Sequence, residues 1–224
     1  MKGGPDSCVL LTMSGVEKRF GGVVALGGVD LEVRAGEVHA LLGENGAGKS
    51  TLMKVLSGAH ALDAGECTLD GVPYAPSGPV DALKCGVAMI YQELNLAPEL
   101  SVGQNVLLGR EPRGKLGWIQ ANEARARVTK ALAALGAEEI RSDTMVSSLG
   151  PGQRQLVEIA RALVEDARLI VLDEPTSSLS IEDTQRLFEV VRRLTQQGVA
   201  VIYISHFLEE VQEIGDRFTV LRDG

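Results

Sequence analysis

A glycine-rich segment constrains the fold of this chain more than any other part of the sequence. Residues Gly43–Thr51 fit the pattern G-x-x-x-x-G-K-[ST]. The apolar run Val38–Leu42 before them predicts a strand, and Thr51–Leu56 after them predicts a helix. Glycines let backbone N–H groups point at phosphate oxygens, and a helix N-terminus adds partial positive charge. The segment predicts a nucleoside triphosphate site. An ordinary glycine turn before a helix is the alternative, which the flanking strand and helix disfavour.

Lys49 and Ser50 carry the chemistry expected of this segment, which we call the phosphate loop. Lys49 would supply a full positive charge for the β- and γ-phosphates, and Ser50 a hydroxyl for Mg²⁺. The predicted nucleotide-binding residues of the loop are Gly43, Glu44, Asn45, Gly46, Ala47, Gly48, Lys49, Ser50 and Thr51.

The size and charge of the chain narrow the classes of function. It has 224 residues, 45% of them hydrophobic, and a formal net charge of −8, which argues against a broad nucleic-acid surface. Cys8, Cys67 and Cys85 are far apart, so we expect three free thiols in a reducing compartment and no cysteine metal site. No apolar run has the length of a membrane span and no secretory signal is visible, so membrane association would need a partner.

Strand and helix patterns alternate along the chain, which predicts a parallel sheet with helices on its faces. A mostly helical insert is expected at about residues 92–149, inside a single domain 1–224 whose core is about 8–91 and 150–224. The predicted strands are Cys8–Met13, Val29–Val33, Val38–Leu42, Glu66–Asp70, Val87–Tyr91, Leu169–Leu172, Val199–Ile204 and Phe218–Leu221. The predicted helices are Thr51–Leu56, Asn122–Leu135, Gln153–Leu163, Ile181–Gln197 and Phe207–Ile214, with a turn at Lys18–Gly22 and a loop at Gly109–Gly117.

Polar residues follow three of these strands. Asp173 and Glu174 come after Leu169–Leu172, where carboxylates suit contact with Mg²⁺ and polarisation of an attacking water. Gln92 follows the strand Val87–Tyr91, and its amide suits coordination of Mg²⁺ and contact with the attacking water. His206 follows the strand Val199–Ile204, and its imidazole suits hydrogen bonds to the γ-phosphate and to the base. Each has a plainer interpretation: a polar strand exit for the acidic pair, a solvated turn for Gln92 and a structural role for His206.

The ordered set of motifs resembles the nucleotide-binding domains of ABC (ATP-binding cassette) proteins over nearly the whole chain. The set is Phe20, Gly43–Thr51, Gln92, Leu149–Gln153, Asp173–Glu174, Ser177–Ser180 and His206. The resemblance implies an α/β fold: a P-loop NTPase core with a mostly parallel sheet, an N-terminal antiparallel β subdomain and an inserted α-helical subdomain.

The resemblance also implies roles. Glu174 resembles the catalytic base and His206 the switch histidine, with Lys49 and Gln92 completing the catalytic set. Ser50, Gln92 and Asp173 resemble the Mg²⁺ site. Phe20 resembles the aromatic that stacks on adenine, although a buried core ring fits it equally well by sequence alone. Leu149, Gly150, Pro151, Gly152 and Gln153, the signature segment, would reach the nucleotide bound by a second cassette.

Three positions depart from the family pattern. Gly150 replaces a serine that gives the γ-phosphate a hydroxyl, a loss of about 1.5–3 kcal/mol that should weaken that half-site. Pro151 replaces a glycine and removes one N–H donor, although proline suits the first helical turn. Ser180 stands where many members have aspartate, which puts in doubt how tightly the two sites communicate.

A finer resemblance is to the sugar-importer ATPases of ribose, galactose and xylose type, and this chain is similar to the first of their two tandem cassettes. It therefore looks like a fragment of a longer chain that hydrolyses ATP with Mg²⁺. Expected partners are a second cassette (in the same polypeptide or a homodimer), membrane permease subunits and, indirectly, a periplasmic or extracellular solute-binding protein. The expected location is peripheral, on the cytoplasmic face of the membrane. A non-transport cassette and a regulatory ATP-binding module are the alternatives.

Overall fold

The computed structural model describes residues 8–114 and 118–224. Its strands are β1 Val9–Phe20, β2 Val23–Arg34, β3 Val38–Leu42, β4 Ala64–Leu69, β5 Val72–Pro73, β6 Val87–Ile90, β7 Leu169–Asp173, β8 Ala200–Ile204 and β9 Arg217–Val220. Its helices are α1 Lys49–Leu56, α2 Pro79–Lys84, α3 Val102–Val106, α4 Ala121–Leu135, α5 Pro151–Val164, α6 Ile181–Gln196 and α7 Leu208–Ile214. Part of the predicted loop Gly109–Gly117, residues 115–117, lies outside the described residues.

A five-stranded parallel sheet forms the centre of the fold, in the order β6-β7-β8-β3-β9. Strands β6, β7, β8 and β3 are mostly apolar and buried because helices or the second sheet cover both faces, whereas the edge strand β9 alternates between half-buried and exposed residues. Residues of β7 alternate between two cores: Leu169 and Val171 belong to one, Ile170 and Leu172 to the other. The predicted parallel α/β core is confirmed.

The second sheet is antiparallel, with the order β2-β1-β4-β5, and its apolar face packs with α1 against one side of the parallel sheet. The turn predicted over Lys18–Gly22 is wrong in its first three residues. Strand β1 continues to Phe20, which pairs with Val23, and only Gly21 and Gly22 form the connection. Gly21 has φ of 57°, so two residues suffice to reverse the chain.

The other side of the parallel sheet is covered by α5 and α6, and the helices between residues 92 and 149 pack against this layer. Helix α3 begins with a reciprocal cap between Ser101 and Gln104. The amide of Asn105 is buried and bonds the backbone of Ala97, which fixes the irregular chain before the helix. Helices α3 and α4, with a 3₁₀ turn at Val146–Ser148, are consistent with a mostly helical insert; its boundaries stay a prediction.

Among residues 8–114 and 118–224, none of the helices combines the length and the apolar character that crossing a bilayer requires.

Candidate active site

The phosphate loop connects the carboxyl end of β3 to helix α1. Gly48 has φ of 104°, and a Cβ there would lie 2.7 Å from the carbonyl oxygen of Ala25, so only glycine fits without strain. The Lys49 side chain is buried, and its Nζ donates to the carbonyl oxygens of Gly43 at 2.5 Å and Glu44 at 3.1 Å. The loop thus folds around its own lysine, and the ammonium is held at the loop's centre.

Segments that are distant in sequence line one cleft of about 570 Å³ at this edge of the parallel sheet, which we call the loop cleft. The phosphate loop meets Gln92, after β6, and Asp173 with Glu174, at the end of β7. The carboxyl ends of parallel strands share one edge of a sheet, which is where such folds bind ligands. The residues that line the loop cleft are Val23, Val24, Ala25, Glu44, Asn45, Gly46, Gly48, Lys49, Ser50, Thr51, Gln92, Asp173 and Glu174.

The two carboxylates occupy different environments. Burial raises the pKa of Asp173, the neighbouring charge of Glu174 raises it further, and Lys49 opposes the shift. Glu174 has φ of 46°, a left-handed conformation that costs energy for a residue with a side chain, and its N–H donates to the carbonyl of Ile204 at 3.0 Å. The left-handed backbone and this hydrogen bond together fix the position and direction in which the Glu174 side chain extends from the backbone.

His206 lies directly beside Glu174. Its Nδ1 is 3.3 Å from Oε1 of Glu174, although the two residues are 32 positions apart in the sequence. The His206 side chain is half exposed, and with Gly43–Ala47 it lines a second cleft on the other side of the phosphate loop. The geometry therefore places an imidazole beside Glu174, along a cleft that the phosphate loop also lines.

Phe20 is exposed, with a relative accessibility of 44%, which excludes the buried core ring considered from the sequence. Its ring makes an edge contact with His60, at 5.2 Å between centroids, and Lys18 Nζ lies 5.7 Å from its centre. Phe20 does not itself line the loop cleft, but its pairing partner Val23 does. The exposed ring thus lies at the hairpin that forms one rim of the cleft.

The signature segment begins helix α5 and lies apart from the loop cleft: none of its five residues is among those that line it in the described chain. Gly150 is the N-cap, and its N–H donates to Oε1 of Gln153 at 3.3 Å. Leu149 is buried, while Gly150 and Pro151 are exposed. The N-terminus of α5 is therefore open to a second molecule.

Sequence reasoning missed two features near the site. Ser180 is the N-cap of α6, and its Oγ accepts from the N–H of Asp183 at 3.1 Å; a serine before an apolar stripe was the available signal. Glu210 bonds three hydroxyl groups around the loops that carry Glu174 and His206. No local pattern marks that contact.

Comparison with known sequences identifies the family. The profile described as "ABC transporter" matches residues 26–177. The ribose import ATP-binding protein 1 of Rubrobacter xylanophilus is 52% identical over 217 residues, which cover 96% of this chain and 43% of the relative. The fructose import ATP-binding protein of Bifidobacterium longum is 47% identical over 221 residues, covering 98% and 42%. The chain thus spans less than half the length of these curated relatives.

Solved structures show the same fold. The ADP conformation of MJ1267, an ATP-binding cassette of an ABC transporter, has a TM-score of 0.86 and 28% identity, covering 97% of this chain and 89% of that chain. A dimeric post-hydrolysis state of the cassette MJ0796 with ADP and Pi has a TM-score of 0.78 and 26% identity, covering 96% and 95%. By its sequence motifs, its fold and its family profile, this chain belongs to the ABC transporter family as an ATP-binding cassette with a P-loop α/β core.

Proposed function

We propose that this chain is the ATP-binding and ATP-hydrolysing cassette of an importer for a monosaccharide. The observation that carries the proposal is the convergence of the phosphate loop, Gln92 and the Asp173–Glu174 pair on one cleft. Relatives that span the cassette are named as import proteins for ribose and for fructose, which supports a sugar as the solute class and makes a non-transport cassette the weaker candidate.

The phosphate loop binds the triphosphate in this proposal. Its backbone N–H groups and the α1 N-terminus face the phosphates, and Lys49 exchanges its loop carbonyls for phosphate oxygens. Phe20 stacks on the base from the exposed end of the hairpin. Binding energy is therefore concentrated at the phosphates, where the chemistry occurs.

The oxygen donors of the loop cleft fit Mg²⁺. Ser50 offers a hydroxyl, Gln92 an amide oxygen and Asp173 a carboxylate, and all three line the same space. Within the described residues, no cluster of three or more His, Cys, Asp or Glu forms an all-protein metal cage. This suits an ion that is held partly by substrate phosphates. When bound, Mg²⁺ neutralises charge on the phosphate oxygens.

Glu174 is the proposed base that orients and polarises the attacking water. His206, whose Nδ1 is 3.3 Å from Oε1 of Glu174, holds the carboxylate in place, and in its imidazolium form the other ring nitrogen also donates toward the γ-phosphate. The transferred group is the γ-phosphoryl, and the products are ADP and phosphate.

A second cassette completes the site in this proposal. Its signature segment approaches the γ-phosphate across the interface, and the signature segment of this chain does the same for the partner's nucleotide. Movement of the cassettes is transmitted to membrane permease subunits, and a solute-binding protein outside the membrane delivers the sugar. The cassette then works peripherally, on the cytoplasmic face of the membrane.

A regulatory module that holds ATP without hydrolysing it is the second candidate, and Gly150 favours it. The glycine offers no hydroxyl to the nucleotide bound by the partner. The loss falls on the partner's site rather than on the site of this chain, where Lys49 and Glu174 line the loop cleft and His206 lies beside Glu174.

Substitution of the base separates binding from chemistry. In the full-length protein with its permease, we expect Glu174→Gln to bind ATP with unchanged affinity and to lower turnover by about 10²-fold or more, because a positioned base contributes about 10²–10⁴-fold. Isothermal titration and steady-state phosphate release measure the two quantities. Glu209, an exposed glutamate of helix α7, provides the control through Glu209→Gln. Unchanged turnover in Glu174→Gln would contradict the assignment.

A further inference from the structure

Three hydroxyl groups from different segments converge on the carboxylate of Glu210, in helix α7. Its Oε1 accepts from Thr176 Oγ1 at 2.6 Å. Its Oε2 accepts from Tyr203 OH at 2.9 Å and from Ser205 Oγ at 2.6 Å. Hydrogen bonds to an ionised acceptor are short and roughly twice as strong as neutral ones. The cluster therefore joins α7, the end of β8 and the loop after β7.

The joined segments are those that carry Glu174 and His206. Thr176 lies two residues after Glu174, and Ser205 directly precedes His206. Because the Ser205 hydroxyl donates its hydrogen to Glu210, its oxygen is free to accept the N–H of Phe207, at 3.0 Å. The residues on both sides of His206 are thus tied to the same hydroxyl.

The anchor of the cluster is rigid. Tyr203 and Ser205 are almost fully buried, with accessibilities of 0% and 1%, and Tyr203 packs edge-on against Phe188 at 6.2 Å between centroids. Glu210 does not line the loop cleft, so it has no direct access to a ligand there. Any effect of Glu210 on the cleft must act through the loops that it holds.

We propose that Glu210 is a positioning residue that fixes the loop of Glu174 relative to the loop of His206. It keeps Glu174 Oε1 and His206 Nδ1 at hydrogen-bond distance, which is 3.3 Å here. The effect of Glu210 on turnover rests on the proposed ATPase function, whereas its effect on the orientation of His206 does not depend on that function. Small misplacements of catalytic groups lower rates while leaving substrate binding intact.

The first test is a split between turnover and binding. Glu210→Gln keeps the shape of the side chain and removes its charge. In the full-length protein with its permease we expect kcat to fall about tenfold, with KM for ATP within about twofold of the parent. Glu209→Gln, one residue earlier and exposed, is the matched control and should leave both constants unchanged. A kcat equal to that of the parent would overturn the catalytic part of the proposal.

The second test is independent of hydrolysis. The chain has three histidines, so ¹⁵N-imidazole spectra of histidine-labelled protein contain three sets of ring signals, of which His206→Gln assigns one. We expect Glu210→Gln to shift the His206 signals and to leave those of His39 and His60 in place. Unmoved His206 signals in a folded variant would overturn the proposal.

Removal of a single hydroxyl covers the case in which Glu210→Gln does not fold. Thr176→Val and Ser205→Ala each delete one bond to Glu210 and should shift the same His206 signals, with Ser205→Ala having the larger effect because it also frees Phe207. If the His206 signals stay in place in both variants, the positioning role is contradicted. If the parent protein shows no ATPase activity while these shifts occur, the proposed function fails and the positioning role stands.

Discussion

Gly150 and Gly152 lie two residues apart at the start of α5, but their surroundings differ. A Cβ at position 150 would meet no atom within 4 Å, whereas a Cβ at position 152 would lie 2.4 Å from Oδ1 of Asp183. Gly150 has φ of −69° and ψ of 165°, which any residue adopts. Packing against the start of α6 therefore favours glycine at 152, but nothing in the fold requires it at 150.

Gly150→Ser is accordingly expected to fold normally and to place a hydroxyl at the exposed N-cap of α5. In the full-length protein we expect ATP turnover at the partner cassette's site to rise about tenfold, since a hydrogen bond to a charged group is worth about 1.5–3 kcal/mol. Gly150→Ala adds the Cβ without the hydroxyl and serves as the control. Equal rates in the serine and alanine variants would show that the hydroxyl has no part in hydrolysis.

Where the signal is contiguous, the sequence singled out residues that line the loop cleft, and their roles there stay a prediction. The phosphate loop is a single nine-residue pattern, and Asp173–Glu174 directly follow an apolar strand, so local reading located both. The environment of Phe20 depended instead on the path of the hairpin after it, which residues 18–22 alone do not fix. The Glu210 cluster joins residues up to 34 positions apart, and only the packing of β8 against its neighbours brings them together.

At the level of elements, the predicted strands and helices agree with the structure to within a few residues, except β1 and β2, which extend much further. The pairing of these two strands contains several bulges and continues into an exposed end. The alternation of apolar and polar residues is therefore lost before the hydrogen-bonded pairing ends. Helix α2 was not predicted, although Pro79 at its first turn and Asp81 nearby are recognised start signals. Its six residues are too few for a helical stripe to appear.

Helix α6 depends on its cap. Ser180 accepts from the N–H of Asp183, so we expect Ser180→Ala to lower the free energy of unfolding by about 1 kcal/mol. Ser180→Asp keeps an acceptor at the N-cap and should retain most of the stability, while introducing the aspartate found in many cassettes. Urea unfolding followed by circular dichroism gives both values. A stable alanine variant would show that the cap contributes little.

Helix α5 carries a buried carboxylate on the side that faces the Gln92 loop. Burial raises the pKa of Glu158, opposed by Arg161 and by the N–H of Asn95, which donates at 2.8 Å. An acid with a raised pKa in the folded state binds more protons there than in the unfolded chain. Its contribution to stability is therefore greatest at low pH and falls as the pH rises from the ordinary glutamate range through the raised pKa.

The substitution Glu158→Gln tests the predicted direction of this pH dependence of stability. Glutamine can still accept the N–H of Asn95 but does not ionise, so the variant should gain stability over the parent at pH 7 and lose that advantage as the pH approaches 4. The quantity to follow is the difference between the two unfolding free energies from pH 4 to 8, because other groups titrate equally in both proteins. A pH-independent difference would mean that Glu158 is not desolvated.

For the whole molecule, the two sheets and the helical layer place the loop cleft at one edge and the N-terminus of α5 away from it. One chain therefore presents both halves of a site without joining them: the phosphate loop of one copy and the signature segment of another would complete it. One cassette of this fold, MJ0796, forms a dimer in its post-hydrolysis state with ADP and Pi.

Nucleotide-dependent pairing follows from this arrangement. A nucleotide that contacts both halves shifts the equilibrium toward the pair by its differential affinity. We expect the Glu174→Gln chain to retain ATP, and therefore to sediment as a dimer with ATP and Mg²⁺ and as a monomer with ADP. Lys49→Ala, which removes the charge proposed to contact the phosphates, should stay monomeric with either nucleotide. Gly150→Glu puts a negative charge at the signature segment, at a position where a Cβ meets no atom within 4 Å, and should prevent pairing while ATP binding to the same chain persists. Dimers of equal abundance with ATP, with ADP and in the Gly150→Glu variant would mean that copies associate through another surface.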